Sequence, residues 1–109
     1  MTEYYKLIEK NIKMFERAIE IAKSIKNEAL ELFEDCDVFI IGSYAKGEHK
    51  LSSDLDILIT SEKIPEKINF EWYSSTVKKL TNDTRINIHL LNKDKFEEYK
   101  KLYSPMIQV

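Results

Sequence analysis

Cysteine, glycine and proline are nearly missing from this 109-residue chain, which has one Cys, two Gly and two Pro. The lone Cys36 has no partner for an internal disulfide, so cross-linking cannot hold the fold, and a cytoplasmic location is the default expectation. Cys36 stands just ahead of an apolar run, where a small buried or boundary residue is expected. No base lies beside it in sequence, which argues against a nucleophile. Apolar runs long enough to span a membrane are absent, and the first six residues carry no signal-peptide pattern. An excess of one charge is lacking too. Seventeen Lys and Arg face nineteen Asp and Glu, for a net charge of −2, so there is no strong signal for a nucleic-acid duplex as partner. The chain as a whole, 43% hydrophobic and 33% charged, has the composition of a soluble globular protein. Its length suits one domain over residues 1–109, with one core.

From Thr2 to Glu34 there is no Gly or Pro to interrupt a helix. Ile8, Ile12, Phe15, Ile19, Ala22, Ile25, Ala29 and Leu32 recur there every three or four residues, a helical stripe. Thr2 or Glu3 opens it and Asp35-Cys36-Asp37 closes it. One long helix, or two with a joint near Asn27, both fit. Met14, Ala18 and Ile21 widen the apolar face. The spacing predicts a helix covering a sheet, and the alternative is a surplus face for a second subunit or a partner helix.

Val38 to Ile41 reads as a short strand, and Ser43 to Lys46 as a helical turn. A polar loop follows from Glu48 to Ser53, and a second strand from Leu55 to Thr60. Phe70, Tyr73, Val77 and Leu80 predict a helix from Asn69 to Leu80. Arg85 to Leu91 alternates as a third strand. Asn92 is placed to cap a last helix, Lys93 to Tyr103, which Ser104-Pro105 ends ahead of an apolar tail. Helices alternating with strands imply an α/β (α+β) fold, a small mixed sheet of about three strands flanked by helices. The short connections require some antiparallel pairs.

The chemistry concentrates around both glycines. Asp54 and Asp56 stand two residues apart at a strand start, which puts their carboxylates on one face, with Cα atoms about 6.5–7 Å apart. Side by side they repel unless a cation joins them, and hard oxygen donors suit Mg²⁺ or Mn²⁺. Two such ions about 3.5–4 Å apart can clamp a phosphoryl group in transfer. Taken alone, such a pair also fits a solvated strand end. Gly42 at the end of the first strand permits close approach of a ligand. Ser43 offers a hydroxyl and the opening of a turn whose amides point at an anion; the plainer alternative is a tight turn with Ser43 as helix cap. Lys46 is placed either to neutralise phosphate or to be solvated.

Gly42-Ser43-Tyr44-Ala45-Lys46-Gly47, then ten residues between Ser43 and Asp54, then Ser53-Asp54-Leu55-Asp56, together resemble the minimal nucleotidyltransferase family, small domains of the DNA polymerase β-like superfamily. The resemblance covers about Val38 to Thr60, and the order of elements agrees from Thr2 to Tyr103. It implies the nucleotidyltransferase fold, with Gly42 and Ser43 on the β- and γ-phosphates of a nucleoside triphosphate, ATP foremost. It implies Asp54 and Asp56 as ligands of two Mg²⁺ or Mn²⁺ ions, and transfer of AMP to a hydroxyl acceptor. Relatives of this kind often act as antitoxins that modify a tyrosine of a HEPN-type ribonuclease, so such a protein, or a second copy docked on the N-terminal helix, is the implied partner.

The family's third carboxylate falls at Asn87, in Arg85-Ile86-Asn87-Ile88-His89. An amide does not act as a base near neutral pH, so Asn87 also admits a module that binds nucleotide or masks a partner without turnover. His89 shares a strand face with Asn87. A hydrogen-bonded structural histidine is the simpler expectation there, and a substitute base or ligand the alternative. His49 is expected exposed, within reach of triphosphate only if its loop folds over. Trp72 and Tyr73 are expected in the core by their helical spacing.

Overall fold

The stretch without Gly or Pro forms two helices, α1 (Thr2–Glu16) and α2 (Ala18–Phe33). The computed structural model describes residues 2–109 apart from the side chain of Thr2, so the expected cap there lies outside the described residues. The joint falls at Arg17, and Asn27 lies inside α2. Arg17 has φ −107° and ψ 17°, and its N–H is shared between the carbonyls of Lys13 and Met14, each at 3.2 Å. The helix thus tightens for one residue without a breaker.

Buried Phe15, Ala18, Ala22, Ile25, Ala29 and Phe33 form the inner line of this pair. The three alanines let α2 lie close to the sheet. Ile12 and Leu32, expected in the stripe, fall outside it at 40% and 37% exposure.

The chain continues through β1 (Asp37–Ile41), α3 (Gly42–Ala45), β2 (Leu55–Ser61), α4 (Phe70–Leu80), β3 (Ile86–Asn92), α5 (Lys93–Tyr99), a 3-10 turn (Lys100–Tyr103) and β4 (Ile107–Gln108). Asn69 caps α4 by accepting from Trp72 N at 2.8 Å. Asn92 caps α5 by accepting from Asp94 N at 2.9 Å. The last helix is shorter than expected because its final turn tightens to 3-10.

The sheet is mixed, in the order β3-β2-β1-β4. β1 runs antiparallel to β2 and β4, and β2 runs parallel to β3, joined across by α4. The expected three strands are present. The fourth, β4, is two residues of the apolar tail laid beside Phe39 and Ile40. Val109 N donates to Val38 O at 3.0 Å, and Lys26 Nζ donates to Val109 O at 2.8 Å. Among the described residues, no helix is long and apolar enough to cross a membrane.

Both sheet faces carry apolar cover, which is why β1 and β2 read as nearly continuous apolar runs. On one face Val38, Ile40, Ile57, Ile59 and Ile88 pack in a core that includes α2 and Leu80 of α4. On the other, Phe39, Ile41 and Leu58 pack with Phe96 of α5, whose ring lies 5.2 Å from that of Phe39. Asp56, half-buried at the start of β2, shares this second face beyond the end of its apolar cover. Cys36 is buried, as expected. Desolvation pushes its thiol up, against a smaller opposing pull from Lys26, so it is an unreactive thiol.

The chain leaves α2 through a strained residue. Glu34 has φ 64° and ψ −47°, and Asp35 N donates to Phe33 O at 2.6 Å, which makes a γ-turn. The ion pair of Glu34 with Lys63, at 3.7 Å and largely exposed, contributes little. Glu34→Gly is therefore expected to stabilise the fold by about 0.5–1 kcal/mol, since relief of strain outweighs the added freedom of the unfolded chain. Urea denaturation checks this, and an unchanged or lowered midpoint contradicts it.

Candidate functional site

Strand register builds the site. β1 ends at Ile41, whose antiparallel partner is Asp56, so the chain leaving β1 turns directly over the start of β2. That turn is Gly42, at φ 72°. A Cβ at Gly42 would stand 3.2 Å from Cγ and 3.3 Å from Cβ of Asp56. Only glycine satisfies both the backbone angle and the space.

α3 then starts at once. Its first N–H groups have no acceptor within so short a helix, and half-buried Ser43 stands among them. Lys46 N closes the turn on Gly42 O at 3.1 Å, and Glu48 N bonds Ser43 O at 2.9 Å. The Lys46 side chain is exposed and, among the described residues, makes no ion pair.

The parallel register of β2 and β3 sets Asp56 beside Asn87 and Leu58 beside His89. Asn87 Nδ2 donates to Asp56 Oδ1 at 3.1 Å, and His89 Nε2 lies 3.4 Å from the same oxygen. Asp54 is exposed, one residue ahead of β2. Gly42, Asp56, Asn87 and His89 are thus brought together. Ser43 adjoins them on α3, Asp54 lies two residues from Asp56, and Lys46 sits at the far end of the turn.

The donor set can be tested against a divalent ion. Two carboxylates beside a turn with free amides fit one hard cation shared with phosphate, because Mg²⁺ is commonly held by one or two carboxylates plus substrate phosphates. A second ion would need an oxygen donor from β3. Asn87 offers only an amide there, and as placed it turns its N–H toward Asp56. Among the described residues, no three of His, Cys, Asp and Glu gather into a metal cluster.

Three features escaped sequence reasoning. His49 is exposed as expected, but its ring lies 4.4 Å from that of Phe15 and 5.2 Å from that of Tyr44, which ties its loop to α1. Buried Asn11 donates to Leu51 O at 2.6 Å and accepts from Arg85 Nη1 at 3.1 Å. Arg85 in turn grips Asp83, 2.7 Å between Nη2 and Oδ2. Hydrogen bonds from the guanidinium hold the Asp83 carboxyl below its usual range. This chain of contacts fixes the loop that leads into Asp54. A buried Asn on a helix and an Asp-x-Arg at a strand start were the only traces of it in the sequence. Trp72 and Tyr73 are half-buried against the core, as expected.

Gly42→Ala is expected to destabilise the protein by about 1–3 kcal/mol, combining a positive φ with a clash against Asp56. Chemical denaturation measures the loss, and a neutral result contradicts the close approach.

The family model of the nucleotidyltransferase domain matches residues 22–108. A protein of Methanocaldococcus jannaschii, named as a candidate protein adenylyltransferase, is 31% identical over 75 residues, which span 69% of this chain and 84% of that protein. Protein adenylyltransferase MntA of Thermococcus cleftensis is 42% identical over 45 residues, 41% of this chain and 46% of that one. Among solved structures, a candidate nucleotidyltransferase from Sulfolobus solfataricus superposes with a TM-score of 0.61 at 23% identity, over 94% of this chain and 84% of the other. A second nucleotidyltransferase structure gives 0.61 at 24%, over 80% and 95%. At these identities the structural likeness speaks for the fold, and the sequence matches carry the family. The chain belongs to the nucleotidyltransferase domain family, as a transferase of the minimal type.

Proposed function

We propose that the protein transfers AMP from ATP to a tyrosine hydroxyl of a second protein and releases pyrophosphate. The observation that carries this reading is the packing of Gly42 against Asp56, which sets the turn after β1 beside a carboxylate on the next strand. Gly42 and Ser43 hold the β- and γ-phosphates through the free amides of α3 and the Ser43 hydroxyl, and Lys46 adds positive charge from the same turn. Asp54 and Asp56 hold Mg²⁺ or Mn²⁺, with Asn87 supplying its carbonyl oxygen if two ions bind. Bound metal neutralises charge developing on the phosphates. The acceptor oxygen bonds to the α-phosphorus as the bond to the pyrophosphate oxygen breaks, and the hydroxyl proton passes to solvent water. Asn87 cannot receive that proton near neutral pH; its role is to hold the Asp56 carboxylate by a hydrogen bond.

The names of the relatives support a protein as acceptor. A HEPN-type ribonuclease is the partner that fits the resemblance, and the protein would then serve as its antitoxin in the cytoplasm. The exposed Tyr4, Tyr5, Leu7 and Ile12 of α1 support docking of that partner, or of a second copy, on the N-terminal helix.

One observation favours a second reading. The amide of Asn87 occupies the place of a third carboxylate and points its N–H at Asp56, which suits a module that binds nucleotide and masks its partner without turnover.

Calorimetric titration of ATP with Mg²⁺ tests the common core of both readings. Metal-dependent binding is expected in the wild type and lost in Asp54→Ala, with the fold intact. No binding at millimolar ATP contradicts both. Labelled-ATP transfer then separates them. The enzyme reading expects transfer by the wild type that Asp54→Ala abolishes. The binding reading expects transfer only after Asn87→Asp.

A further inference from the structure

The Asp56 carboxylate stands between two strands, and its two oxygens face different ways. Oδ2 is the atom closest to where a Cβ on Gly42 would stand, so it is turned to the bend after β1. Oδ1 is turned to β3, where Asn87 Nδ2 donates to it at 3.1 Å and His89 Nε2 lies 3.4 Å away. A carboxylate only accepts, so both nitrogens present N–H groups to it. Each carboxylate oxygen has about two lone-pair sites, and the two donors on β3 face those of Oδ1. The Asp56 side chain is 24% exposed, which leaves little of it to water.

Two ions in a phosphoryl-transfer site stand about 3.5–4 Å apart, and hard oxygen donors, carboxylates above all, hold such charges together. On the β3 side these donors are missing. β3 contains no Asp or Glu. Beyond it an open cleft of about 470 Å³ runs between Phe70 and Tyr103, and none of the side chains lining that cleft is Asp or Glu. Asp54 and Asp56 together carry two negative charges, which one divalent ion balances. A second ion at Oδ1 would have to rotate the Asn87 amide and displace the His89 N–H. It would gain one neutral oxygen where a carboxylate is needed.

From this geometry we infer that the site takes a single divalent ion with its nucleotide, on the Oδ2 side of Asp56, and that the N–H groups of Asn87 and His89 hold Oδ1 where a second ion would otherwise bind. The inference rests on the nucleotide site proposed above, and it applies to the transfer and the masking readings alike. Asn87 and His89 are positioning residues in it, since they act on the ion through Asp56.

Equilibrium dialysis of the full chain against Mn²⁺ and α,β-methylene-ATP, an analogue that cannot release AMP, counts the ions held per bound nucleotide. Electron paramagnetic resonance of the same sample tells a lone ion from a pair, because two Mn²⁺ ions within about 4 Å couple their spins. The wild type is expected to hold one Mn²⁺ per nucleotide and to give the spectrum of an isolated ion. Asn87 is exposed, so the fold tolerates Asn87→Asp, which adds a carboxylate on β3. That variant is expected to double the count and to give a coupled spectrum. Two ions per nucleotide in the wild type, or a coupled spectrum, overturns the inference and leaves the nucleotide site standing. A count that stays at one in Asn87→Asp overturns the part of Asn87 in setting it. If the wild type takes up neither nucleotide nor Mn²⁺, the nucleotide site fails, and the single-ion inference fails with it.

Discussion

The approach of the Gly42 backbone to the Asp56 carboxylate depends on two strand registers holding at once. The antiparallel pairing of Ile41 with Asp56 brings the end of β1 over the start of β2. The parallel pairing of Asp56 with Asn87 brings β3 alongside. A slip of one residue in either ladder would turn Asp56 to the opposite face of the sheet. The buried alternation on both sides of β2 resists such a slip, because Leu55, Ile57 and Ile59 face one core while Leu58 faces the other. The hydrophobic pattern thus sets the position of a carboxylate that contributes nothing to the core itself.

The same two-faced sheet explains where the site opens. α2 and α4 pack on one face. α5 and the 3-10 turn cover the other only over Phe39, Ile41 and Leu58. The uncovered end holds Asp56, Asn87 and His89. From outside the sheet, α1 braces this end through Asn11, Leu51 and Arg85 and through the ring of Phe15 against His49. The exposed apolar side chains of α1 sit on the helix that steadies the loop before Asp54. A partner seated on α1 would therefore press on the approach to that carboxylate, which gives the proposed docking a physical route to the site.

Much of this was legible in the residues. Gly-Ser and Asp-x-Asp at their spacing carried the family, and the helical and strand periods placed β1, β2, α4, β3 and the end of α2 within a residue or two. The joint at Arg17 was not legible, because a shared hydrogen bond needs no glycine or proline to make it. β4 was not legible either: two residues have no period, and Ile107 and Gln108 become a strand only by lying beside β1. Within the site, the shared face of Asn87 and His89 followed from their spacing. Their common contact with Asp56 Oδ1 did not, since register between distant strands is settled by packing. The cleft along β3 depends on the placement of Phe70 and Tyr103, 33 residues apart in sequence, and no local pattern joins them.

The proposed metal–nucleotide complex sits between α3 and the start of β2. Paramagnetic broadening by Mn²⁺ in the presence of ATP, read on the amide spectrum of the full chain, tests it most directly. Selective loss of the amide signals of Gly42, Ser43, Asp54, Asp56 and Asn87 is expected, with α2 and β4 spared. Broadening centred on another surface, or none that depends on ATP, would contradict it.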